Sequence, residues 1–387
     1  MPSALVGEEK FALSGAIPSV RGASGSEPDR LRKPQRIIHV IKHCGYGNGS
    51  VHVAIDLACM QAASGDTVTV VSSGGTFVPL LEQYGVKHVT LPHEQNQPLS
   101  VLSAAWKLAG LVRRERADVL HAHMMSSALI GYVASKLTGV PMVTTVHNSF
   151  DRHSVIMRLG RKVIAVSEAE RKQLLARGYD ADDLVAVMNA PNNSPRDAFM
   201  DDHRELNIQS PCIVVANGLH PRKGVADLIA ACGTIFADHP GWRLYIAGEG
   251  PSRDDLEAQA KQVGIADRTV FLGFLPGPRP LLEKADIFVL ASYADPCSLA
   301  VGEARSAGCA IVATNVGGTP EMLDFGRAGR LVKPGDVVQL AIELRKLMED
   351  DDARHQLRQA ALEGCEIFDV RRLVNDYAQV YADAKRA

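Results

Sequence analysis

The chain has 387 residues, enough for two domains of ordinary size, and its 46% hydrophobic and 22% charged residues are typical of a globular protein with large cores. Its formal net charge of −2 argues against a dedicated nucleic-acid-binding protein. No apolar run has the length of a membrane span or the features of a signal peptide, and the seven cysteines form no CxxC pair. We therefore expect a cytoplasmic protein with reduced thiols, which contacts membranes only from their surface.

The first 34 residues are rich in Gly, Ser, Pro and charge and show no period, so we expect a flexible leader at 1–34. Beyond them, short apolar strands alternate with helical segments, which predicts a parallel sheet covered by helices on both faces. This first domain spans residues 36–200, and its last segment, 189–194 (NAPNNS), predicts a linker. The predicted strands cover residues 36–41, 67–73, 87–91, 119–122, 142–146, 163–166 and 184–188, and helices include 51–64, 99–114 and 126–137.

The alternation of strands and helices restarts at residue 212 and predicts a second doubly wound domain at 201–365. Residues 337–387 have a helical period throughout. The fold class is therefore α/β, with two doubly wound parallel sheets. The predicted strands of the second domain cover residues 212–216, 243–248, 269–273, 286–292, 310–314 and 329–332, and its helices include 225–239 and 252–263.

The stretch 291–321, ASYADPCSLAVGEARSAGCAIVATNVGGTPE, is the most informative part of the chain. It combines a strand end, a short loop, a helix start and a glycine pair, and it carries two carboxylates, Asp295 and Glu303, eight positions apart. Backbone N–H groups at a helix N-terminus attract anions, and ligands of α/β proteins bind at the carboxyl ends of strands. The stretch therefore predicts a site for a phosphorylated ligand, and we interpret it as a nucleotide-sugar site.

This spacing of Asp295 and Glu303 resembles the E-x7-E signature of the retaining glycosyltransferases of family 4. Those enzymes have the GT-B fold, in which two facing Rossmann-like domains enclose a cleft. The resemblance covers about residues 36–380 and implies a donor in the second domain, an acceptor in the first, and a helix at about 366–387 that packs back on the first domain. Further segments match in order: the glycine loop at 44–50, HAH at 121–123, TVH at 145–147, AVSEAER at 165–171, GLHPRKG at 218–224, AGEGP at 247–251 and FLGFL at 271–275.

The resemblance assigns separate parts of the donor to separate groups. Glu303 can accept hydrogen bonds from both ribose hydroxyls, because a carboxylate has two acceptor oxygens. The backbone N–H groups near Ser298 and Leu299 can face the diphosphate at the positive end of the helix. Asp295 can reach the hydroxyls of the sugar. The family usually has Phe-Gly where this chain has Cys297-Ser298, and Ser298 can also cap the helix.

Two cations and a histidine complete the predicted reaction centre. Lys223 matches the diphosphate-binding lysine of the family, and a fixed cation there stabilises the charge that develops on the leaving group. The family commonly has an arginine at the position of Gly218, so Arg222 is our candidate for the second cation, with a solvated loop arginine as the alternative. His147, at the end of a strand, matches a histidine on the donor-sugar side of the cleft.

Several glycines are predicted near the donor. Gly47 and Gly49 let the loop at 44–50 approach the ligand, although Ser50 and the lack of an acidic residue after the second strand disfavour NAD. Gly273 and Phe274 are predicted to line the base end of the site. Gly317 and Gly318 are expected to approach the ligand closely, and Glu321 is expected to be a capping or structural carboxylate.

We expect no metal and no cofactor. Asp180 and Asp182 have the D-x-D spacing that other glycosyltransferases use for a metal, but they lie far in sequence from the donor motif. His121 and His123 are expected to be structural residues that anchor the backbone at a strand end, with a ligand role as the alternative.

The predicted function is that of a retaining glycosyltransferase, which moves a sugar from a UDP- or GDP-sugar to a saccharide or lipid-linked saccharide, in surface polysaccharide or glycolipid biosynthesis. The acceptor-binding residues remain open. One alternative is a GT-B nucleotide-sugar epimerase. A phosphorylase of the same fold is disfavoured, because it would need a cofactor lysine that we do not find. A second alternative is a non-catalytic nucleotide-sugar-binding protein, which Gly218 and Cys297 favour.

The first half of the chain is mildly basic. Residues 36–200 contain 16 Lys and Arg against 13 Asp and Glu, whereas residues 201–387 contain 21 against 27. Basic clusters occur at Arg113, Arg114 and Arg116 and again at 158–162. Such clusters suit an anionic membrane surface and hence peripheral association, with a solvated charged face as the alternative.

Overall fold

The computed structural model describes residues 33–91, 98–150, 152–200 and 206–386. Residues 34–387 form one compact unit that contains both predicted domains. The predicted leader at 1–34 lies outside the described residues, apart from Lys33 and Pro34. All seven cysteines are free, and six of them are buried.

The first half of the chain forms a parallel sheet with helices on both faces. The strands that the structure describes here are β1 (Arg36–Val40), β2 (Thr67–Ser72), β3 (Lys87–Thr90), β4 (Val119–Ala122), β5 (Met142–Val146), β6 (Lys162–Ala165) and β7 (Leu184–Ala186). The helices are α1 (Gly49–Ala63), α2 (Val78–Gln83), α3 (Pro98–Glu115), α4 (Met125–Thr138), α5 (Glu168–Ala176) and α6 (Pro195–Phe199), with a 3-10 helix at Arg152–Leu159. The strand order β3-β2-β1-β4-β5-β6-β7 reverses its winding direction between β1 and β4, where α/β proteins bind ligands.

The second half of the chain repeats this architecture. Its described strands are β8 (Cys212–Ala216), β9 (Arg243–Ala247), β10 (Thr269–Gly273), β11 (Ile287–Leu290), β12 (Ala310–Thr314) and β13 (Arg330–Val332). The helices are α7 (Val225–Ile235), α8 (Arg253–Gln262), α9 (Arg279–Leu282), α10 (Leu299–Ser306), α11 (Thr319–Met322), α12 (Val337–Glu349), α13 (Asp351–Leu362) and α14 (Val370–Arg386). The strand order β10-β9-β8-β11-β12-β13 again reverses its winding direction, here between β8 and β11. The predicted α/β class with two doubly wound parallel sheets is confirmed.

Local sequence explains where the helices begin and end. The Asn48 side chain accepts the N–H of Ser50 at 3.0 Å and so caps the start of α1. Gly139, with φ of 77°, ends α4 in the left-handed conformation that glycine adopts readily. The helical period over 337–387 is broken into three helices, because Asp350 caps the start of α13 through the N–H of Ala353 and Gly364 turns the chain after it.

The C-terminal helix α14 packs on the first sheet, although the chain has by then completed the second one. Its Leu373, Tyr377 and Tyr381 are buried together with Ile37 of β1 and Leu57 of α1. Burial of three such large side chains contributes on the order of several kcal/mol to stability. The last helix therefore fastens the second half of the chain to the first.

The predicted linker at 189–194 is largely buried. Asn192 donates its backbone N–H to the carbonyl of Phe368 at 2.9 Å and accepts the N–H of Val370 at 3.0 Å, so it pairs with the segment that enters α14. The Asn189 side chain donates to the carbonyl of Cys297 at 3.3 Å. The chain crosses between its two halves at this linker and again in the segment that enters α14, and these two segments lie next to each other.

A buried ion pair joins α1 to α6 directly after this linker. The Arg196 guanidinium donates from Nε and Nη2 to the two carboxylate oxygens of Asp56, each at 2.8 Å, and both side chains are at most 4% exposed. The Ser194 hydroxyl donates to the same carboxylate at 2.6 Å. Such a pair is costly to break, because removing one partner leaves the other charge buried without compensation.

We expect Arg196→Leu to lower the free energy of unfolding by about 3–5 kcal/mol, measured by urea denaturation. The double variant Asp56→Leu with Arg196→Leu should recover part of this loss, since no unpaired charge remains buried. As a control, Arg345→Leu removes the exposed pair with Asp238 and should cost less than about 1 kcal/mol. A double variant no more stable than Arg196→Leu would contradict this account.

Candidate active site

A cavity of about 440 Å³ lies at the carboxyl ends of strands from both sheets. Its walls come from the loops that follow β1 and β5 in the first half and β8, β9, β10 and β11 in the second half. We refer to it as the cleft. Ten predicted site residues line it: Asp295, Lys223, His147, Glu303, Ser298, Leu299, Arg222, Phe274, Gly47 and Gly49. Gly273 does not line it, but it precedes Phe274 at the end of β10.

Lys223 and Asp295 form an ion pair in the cleft. The Lys223 ammonium lies 2.6 Å from the Asp295 carboxylate, and the two side chains are 14% and 7% exposed. Gly224 places the lysine loop against the end of β11, since a Cβ at this position would lie 1.9 Å from the carbonyl oxygen of Ala291. A close pair of opposite charges at the bottom of a cleft can exchange its internal contact for contacts with an anionic, hydroxylated ligand.

The N-terminus of α10 opens into the cleft. Ser298 occupies the cap position, but its hydroxyl makes no capping hydrogen bond, contrary to the cap that the sequence suggested. Within the described residues, the backbone N–H groups of Leu299 and Ala300 donate to no acceptor, and both residues line the cleft. A Cβ on Gly49 would lie 3.6 Å from Leu299, so the glycine loop of the first half approaches this helix start closely. Free N–H groups at the positive end of a helix suit an anion.

Glu303 lies in the second turn of α10, where it is half-buried and lines the cleft. Burial raises the pKa of Glu303 to about 7, against the opposing effect of the nearby Arg196 guanidinium. In the described part of the chain, no hydrogen bond reaches the Glu303 carboxylate. An unpaired carboxylate with a raised pKa in a cleft is a typical feature of a binding or catalytic site.

Four further cleft residues carry buried polar atoms that have no partner among the residues the structure describes, and sequence reasoning identified only His147 among them. The atoms are Nδ1 of His147, Nε2 of His52, Oδ1 of Asn189 and both amide atoms of Asn217. Each buried polar atom left unpaired costs about 1–3 kcal/mol, so their concentration in one cavity indicates a polar ligand. Asn217 directly follows β8, and this strand-end position was the signal that could have identified it.

His121 and His123 contact side chains and do not anchor the backbone as we expected. His121 lies on β4 and His123 directly follows this strand, and both residues are buried. Nδ1 of His121 lies 2.7 Å from the Tyr381 hydroxyl, and Nε2 of His123 lies 2.9 Å from Nδ1 of His39. Among the described residues, His39, His121 and His123 are also a group whose nitrogens are close enough to hold a metal.

The glycine pair of GGTPE (317–321) supports the loop that carries Asp295 and Pro296, and it does not line the cleft. A Cβ on Gly317 would lie 2.0 Å from the carbonyl oxygen of Asp295, and one on Gly318 would lie 2.4 Å from that of Pro296. The expected close approach therefore exists, but it is to the backbone of this loop. Glu321 is a capping carboxylate, as expected: it accepts the N–H groups of Glu168 and Ala169, at 2.9 and 2.6 Å, at the start of α5.

The remaining predicted residues lie as follows. Arg222 donates to the carbonyl of Ala294 at 3.3 Å, and its guanidinium lies 5.9 Å from the ring centre of Phe150, so it covers the rim of the cleft. Gly218 lies beside His220, which also lines the cleft. Asp180 and Asp182 are exposed outside the cleft.

The basic cluster at the end of α3 is exposed at Arg113, Arg114 and Arg116. None of the described helices combines the length and the apolar character that a membrane crossing requires.

Comparisons with known proteins agree with this architecture. The family model "Glycosyltransferase Family 4" matches residues 47–191, and "Glycosyl transferases group 1" matches residues 199–363. A glycogen synthase from Mycobacterium tuberculosis is 32% identical over 305 residues, which cover 72% of each chain. The N-acetyl-alpha-D-glucosaminyl L-malate synthase of Bacillus anthracis is 26% identical over 306 residues, 74% of this chain and 80% of its own.

Solved structures extend the likeness to the fold. A glycosyltransferase from Rickettsia africae aligns with a TM-score of 0.77 at 21% identity, over 91% of this chain and 99% of its own. Anabaena HepE, solved in complex with UDP-glucose, aligns with a TM-score of 0.75 at 22% identity, over 90% of this chain and 100% of its own. Because family models match both halves and these structures share both sheets, the chain belongs to the glycosyl transferases of group 1 and has the GT-B fold.

Proposed function

We propose that this glycosyltransferase moves a sugar from a nucleoside diphosphate sugar to a saccharide acceptor and retains the configuration of the anomeric carbon. One observation carries the proposal: a single cleft brings together a carboxylate without a hydrogen-bond partner among the described residues, an open helix N-terminus and a buried lysine. These groups match the ribose, the diphosphate and the leaving-group charge of one ligand.

The nucleoside end of the donor binds at Glu303. Its carboxylate accepts the two ribose hydroxyls, and the backbone near Phe274 contacts the base. Phe274 is positioned by an aromatic contact with Tyr46 of the glycine loop, with ring centres 5.7 Å apart. Anabaena HepE, which has this fold, was solved with UDP-glucose, and this supports a uridine nucleotide as the first donor to test.

The diphosphate lies at the start of α10, where the N–H groups of Leu299 and Ala300 donate to its oxygens. Lys223 leaves Asp295 and pairs with the phosphate oxygen that becomes the leaving group. Because the charge on this oxygen grows as the sugar–phosphate bond breaks, the lysine stabilises the transition state more than the ground state. Lysine and helix together supply the positive charge, so we propose no metal in the reaction.

Asp295, freed from Lys223, accepts sugar hydroxyls, and His147 contacts the same sugar. The acceptor oxygen forms the new bond to the anomeric carbon on the face that the phosphate leaves. The acceptor proton passes to the departing phosphate oxygen, and the old sugar–phosphate bond breaks. This route needs no separate protein base and retains the configuration of the anomeric carbon.

We further propose a saccharide or lipid-linked saccharide as the acceptor. The exposed basic cluster at Arg113, Arg114 and Arg116 favours an acceptor in an anionic membrane on the cytoplasmic side.

The decisive experiment supplies UDP- and GDP-sugars with and without saccharide acceptors and follows the anomeric carbon by NMR. Transfer with retention supports the proposal. Free nucleotide and an altered sugar without any acceptor would identify an epimerase. Binding without turnover on a broad acceptor panel would identify a non-catalytic binding protein.

We expect Lys223→Gln to lower kcat by roughly 100- to 1000-fold, because the developing phosphate charge loses its fixed cation. Steady-state kinetics with the donor found above provide the measurement. Lys333→Gln is the matched control, since Lys333 is an exposed lysine outside the cleft, and it should leave kcat unchanged. Retention of full kcat in a folded Lys223→Gln variant would contradict the role of the lysine.

Donor affinity should depend on pH through Glu303. With a pKa of about 7 in the free protein, this carboxyl is mostly protonated at pH 6 and mostly ionised at pH 8. The ionised form is the better acceptor of ribose hydroxyls, so the affinity should increase roughly fivefold to tenfold from pH 6 to pH 8. Calorimetry with an intact nucleotide-sugar measures this, because neither phosphate of that ligand titrates in the range.

Glu303→Gln is the control for this pH dependence. The amide keeps one acceptor oxygen but does not titrate, so donor binding should be weaker at pH 8 and nearly independent of pH. An unchanged pH dependence in Glu303→Gln would contradict the assignment to Glu303.

A further inference from the structure

A chain of histidine side chains runs from the cleft into the core of the first domain. Nε2 of His147 lies 3.3 Å from Nδ1 of His123, and Nε2 of His123 lies 2.9 Å from Nδ1 of His39. Nε2 of His39 lies 2.7 Å from Oε1 of Gln61, on helix α1. His147 lines the cleft, whereas the other three side chains are at most 2% exposed. We call these four residues the histidine chain.

The rings of the histidine chain are neutral. Burial lowers the pKa of His39 and of His147 to about 4, and burial also lowers the pKa of His123 well below its usual range. A neutral imidazole has one N–H donor and one acceptor nitrogen. Each ring must therefore donate on one side and accept on the other, and the proton on one ring determines the proton on the next.

Gln61 sets the direction of the chain. Its Oε1 accepts from Nε2 of His39, which leaves Nδ1 of His39 as an acceptor for Nε2 of His123. Nδ1 of His123 in turn accepts from Nε2 of His147. The amide of Gln61 is held on its other side, where Nε2 lies 3.3 Å from the Tyr381 hydroxyl of α14. In this arrangement all three rings carry the proton on Nε2.

The free end of the chain favours this direction over the reverse. Nδ1 of His147 is buried, and it has no partner among the described residues. When the Gln61 oxygen is the acceptor, Nδ1 of His147 carries a lone pair and no proton. With the Gln61 amide reversed, every proton would move and the chain would end in a buried N–H without an acceptor. Buried N–H groups without partners are rarer in proteins than acceptors with a free lone pair.

We propose that Gln61 acts at a distance as a positioning residue: through His39 and His123 it fixes the tautomer of His147, with the proton on Nε2 and a lone pair on Nδ1, in the ring that lines the cleft beside the saccharide ligand. The identity of this ligand rests on the proposed function, but the proton positions do not. Gln61 lies on α1 and is not among the residues that line the cleft, so it acts through the two rings and not by contact with the ligand.

A metal on His39, His121 and His123 is the competing interpretation of these residues. Each ring nitrogen of His39 and His123 already has a partner within the group or on Gln61 or His147. Both nitrogens of His121 also have partners, the Tyr381 hydroxyl at 2.7 Å and the Thr145 hydroxyl at 2.8 Å. Metal binding would break several of these contacts, so we favour the hydrogen-bonded chain.

The test begins with the wild-type protein, without ligand. Nitrogen-15 NMR of labelled histidine distinguishes the two tautomers of each ring, and we expect His39, His123 and His147 to carry their protons on Nε2. A proton on Nδ1 of His147 would overturn the proposal, as would stoichiometric zinc found by elemental analysis of the purified protein. Neither outcome depends on which sugar, if any, the enzyme transfers.

Gln61→Leu then removes the remote acceptor. We expect the His147 proton to shift to Nδ1, kcat/KM for the nucleotide-sugar to fall roughly tenfold, and the affinity for the nucleoside diphosphate, which has no sugar, to stay unchanged. Tyr377→Phe is the matched control. The Tyr377 hydroxyl lies 3.4 Å from the Thr145 hydroxyl, which contacts His121 and not the histidine chain, so loss of the Tyr377 hydroxyl should leave the His147 tautomer unchanged. An unchanged tautomer and kcat/KM in a folded Gln61→Leu protein would overturn the proposal. Should this variant not fold, the wild-type spectrum alone decides.

Discussion

The structure depends on one constraint: the cleft contains polar groups that no described residue pairs. Asn217, Asn189 and His147 each have a buried atom without a partner in the described part of the chain, and each such atom opposes folding by about 1–3 kcal/mol. The Glu303 carboxylate adds a half-buried charge with a raised pKa. The two sheets, with apolar cores on both faces, supply the stability that offsets this cost. Under the proposed function, the hydroxyl and phosphate groups of the ligand would pair these atoms.

The shape of the cleft depends on connections between the two halves. Glu321 of the second half caps α5 of the first, and the Ser167 hydroxyl donates to the carbonyl of Pro296 at 2.8 Å, beside the Asp295 loop. The linker and α14 cross between the halves next to each other. These contacts fix the distance between the glycine loop and the start of α10, which both line the cleft. Residues far from the ligand therefore set the geometry on which orientation effects in catalysis depend.

Two of the cations that line the cleft are paired before any ligand arrives. Lys223 is neutralised by Asp295, and Arg196 by Asp56, which leaves Glu303 to adjust its own charge by taking up a proton. A free lysine in this position would attract any small anion, whereas a paired one responds to a ligand that offers both a phosphate for the cation and hydroxyls for the carboxylate. Under the proposed function, this pairing favours an intact sugar nucleotide over inorganic phosphate, because breaking a buried ion pair is costly unless both partners are satisfied.

The sequence by itself determined the two parallel sheets and the edge at which the ligand site lies. Alternating strands and helices with right-handed connections bring the loops after β1, β8 and β11 to the carboxyl ends of the sheets, so Gly47, Lys223 and Glu303 could be placed without any long-range contact. Only the tertiary structure decided the partners of these groups. Lys223 meets Asp295, 72 residues later, Glu321 caps a helix of the other half, and Gln61 reaches His147 through two rings from different strands. Hydrogen-bond partners of this kind depend on side-chain directions after packing, and no local period in the sequence encodes them.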